Sequence, residues 1–264
     1  MSRLSQVQYD LRHLDELSRR GIGFSRIHPV VQLIITLIFI IIAVSYDAGE
    51  ITGLLPLILF PSTLFIVNEI PLKPILIRLA FGFPFIIGVG ILNPIFDRQQ
   101  ILIGTMTLAR GWLTFFSIVI KGVLTISAAL LLLSSCGLPK LAKSLRILKV
   151  PKLIVLQLLL TYRYLTVLLE EVARTLTAYA LRAPGQKGIG YKAWGSLAGQ
   201  LLVRTFDRAE RIYQAMRLRG FEGDFPDEPM DGIKPSDIFY GLFWTFYFLL
   251  ARWINIPQFL GGLL

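Results

Sequence analysis

Five blocks of apolar residues, each long enough or nearly long enough to cross the hydrocarbon core of a bilayer as a helix, decide what this chain can become. The first, residues 30–46, is interrupted only by Gln32, Thr36 and Ser45 and follows Pro29, whose missing N–H is harmless in a helix's first turn. It comes after a polar segment, residues 1–28, that lacks a small-residue cleavage site, so it reads as a retained span rather than a signal peptide. The second block, residues 51–67, contains Pro56 and Pro61, which kink a helix but are tolerated in a span whose neighbours satisfy the freed carbonyls. The third starts along the membrane surface at Pro71-Leu72-Lys73-Pro74 and continues to Phe96, with Arg78 near its inner end and Pro84 in its middle. The fourth, residues 112–135, is the longest. The fifth, residues 238–254, is rich in aromatics suited to interfacial belts and helix packing, among them Phe239, Trp244, Phe248 and Trp253. Between the third and fourth, residues 101–108 are apolar with Thr and Gly, short enough for an external hairpin or a re-entrant turn. The expected fold class is an all-α integral membrane protein with about five transmembrane helices and a cytoplasmic helical region between spans 4 and 5.

A chain that is 54% hydrophobic, with mean hydropathy +0.64, is too apolar for a soluble domain of this size. Its formal charge of +10 therefore reads as cytoplasmic loops enriched in Lys and Arg, not as a nucleic-acid surface. Residues 139–221 hold fifteen Lys and Arg against four acids, Glu170, Glu171, Asp207 and Glu210, which places that stretch inside. Counting back through four spans puts the N-terminus inside as well, and the fifth span leaves Leu264 outside. The expected organisation is a cytoplasmic segment 1–28, transmembrane helices 1–4 within 29–136, cytoplasmic helices 137–223, and a linker with helix 5 in 224–264. The expected location is a prokaryotic plasma or inner membrane, crossed several times. One cysteine, Cys136, and two histidines, His13 and His28, leave no metal-ligand cluster and no intrachain disulfide.

The cytoplasmic stretch reads as three helices. Residues 139–149 place Leu141, Leu145 and Leu148 at i, i+4, i+7 with Lys140, Lys143 and Lys149 elsewhere, an amphipathic pattern that can lie on the inner leaflet. Pro151 opens a second helix, expected to reach about Ala183, with Glu170 and Arg174 at i, i+4. Ala183-Pro184-Gly185 ends it, and Gln186 to Gly190 forms a flexible link. The third helix, from about Ala193 to Arg219, has Asp207 and Arg211 at i, i+4 and Gly220 as its stop. Both long helices have an apolar face with which they can cross, and both finish with an arginine, Arg182 and Arg219. A cation in the last turn complements the helix dipole, which accounts for either arginine alone. Two such endings also suit a pair of plugs for carboxylate-lined grooves on a partner.

At these residues the chain resembles the transmembrane T component of energy-coupling factor transporters, a class of ABC importers. The match is best in Leu156-Gln157-Leu158-Leu159-Leu160-Thr161-Tyr162-Arg163-Tyr164-Leu165 and in the run from Ala209-Glu210-Arg211-Ile212-Tyr213 to Gly220-Phe221-Glu222-Gly223, which look most like the cobalt/nickel branch. The resemblance implies two coupling helices, each ending in an Ala-Arg-Gly-like motif whose arginine enters a groove on one of two ATPase subunits. Arg219, between Leu218 and Gly220, matches that motif; Arg182 departs from it, since Ala183-Pro184-Gly185 stands where the glycine would follow. The implied partners are two ABC ATPases, a membrane substrate-binding S component and the bilayer. The chain itself would carry no cofactor and no catalytic residue.

No GxxxxGK[ST] loop occurs, and the nearest Gly-rich piece, residues 185–190, lacks its spacing, so ATP hydrolysis would belong to the partners. Neither HExxH nor a nucleophile elbow is present, nor a pair of acids within a span. Lys121 is the one charge deep in a span, either a packed or snorkelling lysine or a contact to a partner helix or an internal acid. A self-contained secondary transporter or channel would show inverted repeats and midplane polar residues. The branch resemblance favours cobalt or nickel as the substrate, with a vitamin importer of the same architecture as the alternative.

Overall fold

The computed structural model describes residues 27–47, 51–68, 72–96, 100–103, 106–182, 190–223 and 232–253. In chain order these form α1 (Pro29–Ser45), α2 (Ile51–Leu54), a 3-10 turn (Pro56–Ile58), α3 (Leu59–Val67), α4 (Leu72–Gly90), α5 (Leu92–Phe96), β1 (Gln100–Ile103), β2 (Met106–Ala109), α6 (Arg110–Cys136), α7 (Leu138–Ile147), α8 (Lys152–Arg182), α9 (Tyr191–Leu218) and α10 (Pro235–Trp253). The chain divides into two compact units, residues 15–144 with 231–264, and residues 1–14 with 145–230.

The helical class holds, with one small addition: residues 100–109 form an antiparallel hairpin, Gln100 opposite Ala109 and Ile103 opposite Met106, where the sequence left hairpin and re-entrant turn open. Two of the expected continuous spans are broken. Pro56 cannot donate to a helical ladder, and the second apolar block splits there into α2, the 3-10 turn and α3. The third block continues through Pro84 but is interrupted at Ile91, between α4 and α5. By length and apolarity, three described helices can cross a membrane, residues Ile75–Phe96, Arg110–Cys136 and Lys152–Arg182, while Pro29–Ser45 and Ile51–Val67 are shorter apolar segments. α8 thus joins the set of span-like helices. α10 drops out of it, because its Tyr and Trp residues and its terminal Asp237 and Arg252 lower its hydropathy.

α10 is nonetheless built into the apolar core of the first unit. Its inward residues Trp244 and Phe248 meet Phe39 of α1 and Phe60 of α3, with Phe60 to Trp244 ring centroids at 4.9 Å, Phe39 to Phe60 at 4.9 Å and Phe60 to Phe248 at 5.2 Å. Such tilted and edge-on contacts are the geometry aromatic quadrupoles favour. The opposite side of α10 exposes Phe239, Leu242, Phe246 and Leu249, Phe239 at 74%, which is an apolar stripe suited to lipid. Asp237, buried, accepts a hydrogen bond from the Lys234 amide at 3.0 Å and closes the first turn of α10.

Polar bolts fix α1 against α6. Gln32, fully buried, donates from Nε2 to the Ile27 carbonyl at 2.7 Å, and its Oε1 accepts from Ser135 Oγ at 3.2 Å and Cys136 Sγ at 2.8 Å. At the far end of α1, the Lys121 ammonium donates to the carbonyls of Tyr46 and, at 3.4 Å, Asp47, while Arg252 of α10 donates to the Ser45 carbonyl at 3.1 Å. Helix C-termini leave carbonyls unpaired, and here two cations from neighbouring helices satisfy them.

α4 and α6 pack through glycine. A Cβ added at Gly122 would lie 2.8–3.2 Å from three atoms of the Ile86 side chain, and one at Gly90 would lie 2.9 Å from the Phe115 ring. Small residues let membrane helices approach closely, which is where their association energy arises. Gly122→Leu is expected to force the two helices apart and cost about 1–3 kcal/mol, read as a lowered midpoint of thermal unfolding in mild detergent; an unchanged midpoint would show that this contact is not tight.

Candidate docking site on the paired helices

The second unit is organised around α8 and α9. Pro151 starts α8, its carbonyl accepting from the amides of Ile154 at 3.0 Å and Val155 at 3.4 Å. α9 starts after Gly190, whose extended backbone and carbonyl, bonded by Ala193 N at 2.9 Å, form the N-cap. The Gly190 amide in turn donates to Tyr179 Oη of α8 at 3.4 Å.

Glu171 joins the two helices. It accepts from Arg204 at 3.0 Å and lies 3.6 Å from Arg208, both on α9, and 3.4 Å from Arg174 on its own helix. The crossing expected from the apolar faces is therefore present. The partner that Arg174 reaches is Glu171, three residues back, where sequence spacing had pointed to Glu170. An isolated exposed pair contributes only about 0.2–1 kcal/mol, but one half-sheltered carboxylate shared by three guanidiniums is a network that holds an orientation.

Beside this junction the helices enclose a groove of about 560 Å³. Leu156, Gln157, Leu160, Thr161 and Tyr164 line one wall, and Ala209, Ile212, Tyr213, Met216 and Phe221 the other. These are the two stretches whose sequence carried the family resemblance. They face each other across one apolar cleft, with Glu171, Arg204 and Arg208 among its lining.

The tips differ in what the structure describes. Arg182 is the last residue of α8 and is exposed; Ala183 and residues 184–189 lie outside the described residues. α9 ends in a two-bond C-terminal cap: Phe221 N donates to Met216 O at 3.0 Å and Gly220 N to Arg217 O at 3.0 Å, with Gly220 at φ 80. That left-handed conformation is available to glycine without steric cost. Arg219 is the cap residue itself, exposed, next to Leu218 at 91% exposure. Among the described residues neither the Arg182 nor the Arg219 guanidinium has a hydrogen-bond or ion-pair partner, whereas Arg174, Arg204 and Arg208 are all engaged with Glu171.

Lys121, singled out for its depth in α6, turns to the end of α1 as described. Gln32, which the sequence presents only as an interruption of an apolar run, is the residue that ties α1 to α6. Its signal was a carboxamide in a span, since a buried amide demands partners. Among the described residues no group of three or more His, Cys, Asp or Glu side chains is placed to hold a metal ion.

A protein-family model described as "Cobalt transport protein" and named CbiQ matches residues 24–230. The chain is 28% identical over 160 residues to the cobalt transport protein CbiQ of Salmonella typhimurium, covering 56% of this chain and 69% of that one. It is 25% identical over 236 residues to an uncharacterized protein of Methanocaldococcus jannaschii, 83% and 81% of the two chains. Over 85 residues it is 31% identical to the nickel permease LarQ of Lactiplantibacillus plantarum, 32% and 31% of the two.

Proposed function

This chain belongs to the CbiQ family of cobalt transport proteins, a family of membrane transport components rather than catalysts, and from that premise we propose that it is the energy-coupling membrane subunit of an ATP-driven importer for cobalt or nickel. In this reading two ABC ATPase subunits supply the energy, a separate membrane subunit binds the ion, and this chain carries motion from the first to the second. The choice of substrate follows the cobalt transport protein and the nickel permease to which the chain is similar.

The observation that carries the reading is the state of the two helix tips. A chain that engages Arg174, Arg204 and Arg208 at Glu171 leaves Arg182 and Arg219 exposed and, among the described residues, without partners at the ends of the helices so joined. A planar guanidinium on a rigid stalk suits a carboxylate-lined groove, where two parallel hydrogen bonds form at little conformational cost. Arg219 would enter one ATPase, with Leu218 and Gly220 shaping the tip, and Arg182, with Ala183 beside it, the other. Because Glu171 ties α8 to α9, a push on either tip moves both helices. The apolar groove between them suits a helix of the ion-binding subunit, laid in by its apolar face.

The topology proposed with this function has residues 1–28 and 137–223 cytoplasmic, five spans formed by α1, α2–α3, α4–α5, α6 and α10, and the C-terminus outside. It rests on the excess of cations in residues 139–221 and on the lipid-suited stripe of α10. Affinity purification in mild detergent is the test: two ATPase chains and a further membrane chain are expected to accompany this one, and metal uptake in vesicles to require ATP. A chain that purifies alone and transports cobalt or nickel down an ion gradient would overturn the proposal.

A further inference from the structure

We propose that the groove between α8 and α9 is covered, in the chain by itself, by the chain's own residues 4–14, laid in as an amphipathic helix that a partner's helix must displace. The displacement rests on the proposed function; the occupancy does not. On α8 the lining runs from Leu153 to Leu168, about 22 Å of helix. Leu153, Leu168 and, on the facing wall, Tyr213 remain exposed, Leu153 at 72%. An apolar cleft left open in this way marks an interaction site, and the element that fills such a cleft is a helix with one apolar face.

The sequence ahead of α1 supplies that helix. Residues 1–26 lie outside the described residues, but their pattern has a single apolar seam: Leu4, Val7, Leu11 and Leu14 fall at the a and d positions of two heptads. The seam is about 15 Å long and fits within the groove. Asp10 and Asp15 take g and e positions on either side of it, with Arg3 the one cation beside it, while Tyr9, Arg12, His13 and Glu16 share the opposite face. The charged lining of the groove is Glu171 with Arg204 and Arg208, two cations to one acid, which suits acids flanking an apolar seam. A lipid surface would meet the same acids with negative phosphates. Reach is sufficient. The Ile27 carbonyl accepts from Gln32, whose Oε1 accepts from Cys136 Sγ, so the start of the described chain adjoins the end of α6. From there α7 advances about 11 Å to Leu145, and the Val150 amide returns to the Leu145 carbonyl at 3.1 Å, three residues before Leu153. Connectivity therefore keeps Leu153 within about 35 Å of Ile27, and residues 15–26 span up to about 40 Å. Such a tether gives the segment a high effective concentration at the groove, ahead of any second copy.

The test uses the full chain alone in mild detergent, in a Cys136→Ser background that keeps a hydroxyl beside Gln32. Val7→Cys is paired with Ile212→Cys on one wall and, separately, with Leu160→Cys on the other, oxidised with copper phenanthroline and read by mass spectrometry of the linked peptides. Both pairs are expected to link within one chain, at least about tenfold faster than Tyr9→Cys paired with Ile212→Cys, since Tyr9 lies on the far side of the helix. Maleimide labelling of Ile212→Cys should rise about tenfold or more when Val7→Asp and Leu11→Asp place carboxylates in the seam. Asp10→Asn with Asp15→Asn should raise it by about two- to tenfold at low salt and by less at high salt. Links between two chains would overturn the proposal in favour of a second copy. Equal linking from Val7 and Tyr9, or labelling that the seam aspartates leave unchanged, would overturn it too, leaving the groove open. No ATPase or ion-binding subunit takes part, so failure here leaves the transport proposal standing, and a chain that purifies without ATPases leaves this result unaltered.

Discussion

Arg219→Ala together with Arg182→Ala is expected to release the ATPases altogether while the membrane unit stays folded. Each arginine, docked, would face carboxylates in a groove from which water is excluded, and truncation leaves those acids buried without a partner. That costs about 2–5 kcal/mol per contact. Arg219→Glu should be worse than Arg219→Ala, since two like charges would then meet. Arg182→Ala should have a similar or smaller effect, because Ala183-Pro184-Gly185 replaces the glycine that follows Arg219. Two linked contacts act multivalently, so either single variant retains some ATPase through the other tip and the double variant does not. Co-purification and transport-coupled ATPase activity, at equal membrane abundance, measure this. Full retention and uptake by the double variant would reduce both arginines to helix caps.

Phe60→Ala is expected to have the largest effect on the fold. Phe60 is fully buried and touches Phe39, Trp244 and Phe248, so it is where α3, α1 and α10 meet. In a soluble core such a truncation costs about 3–5 kcal/mol from lost transfer energy and the cavity left behind. Lipid is as apolar as the core, so the transfer part falls away and the lost packing remains. A loss of about 2–3 kcal/mol follows, at or below the lower end of that range. Unfolding in detergent with graded denaturant, followed by tryptophan fluorescence from Trp244, reads it. Phe60→Leu, which refills most of the volume, should recover more than half, and equal loss in both variants would show that the ring contacts rather than the filled space matter.

What could be read from the sequence were the elements whose signals are local. Pro29 and the apolar run after it gave α1 within a residue at each end, and Gly220 gave the end of α9. The breaks at Pro56 and Ile91 mark the limit of that reading. Apolarity sets how long a segment can stay in lipid, whereas the course of the backbone within it depends on which neighbours accept the freed carbonyls. The amphipathic stripe of Leu141, Leu145 and Leu148 illustrates the same limit: α7 buries Ala142 and Ser144, and Leu148 is exposed at its end. In the candidate site, the tip arginines stood out because helix ends have a local chemistry. Glu171 did not, because its partners Arg204 and Arg208 lie on another helix, and the choice between Glu170 and Glu171 turns on the rotation of one helix against the other. Lys121 and Gln32 were visible as anomalies in apolar runs, but the carbonyls and hydroxyl they serve belong to distant residues.

The two polar bolts between α1 and α6 have a mechanical consequence. Gln32 meets Ser135 and Cys136 at one end, and Lys121 meets the carbonyls of Tyr46 and Asp47 at the other. The interval from Gln32 to Tyr46 along α1 equals that from Lys121 to Ser135 along α6, so both ends engage in a single antiparallel register. A slip by one helical turn, about 5.4 Å, would break both fastenings at once. Sliding of these helices past each other is thereby closed as a mode of movement, and the pair behaves as a stiff strut. The backbone of this unit is instead interrupted at Leu55 and Pro56 and again at Ile91, places where a bend costs less than sliding two bolted helices.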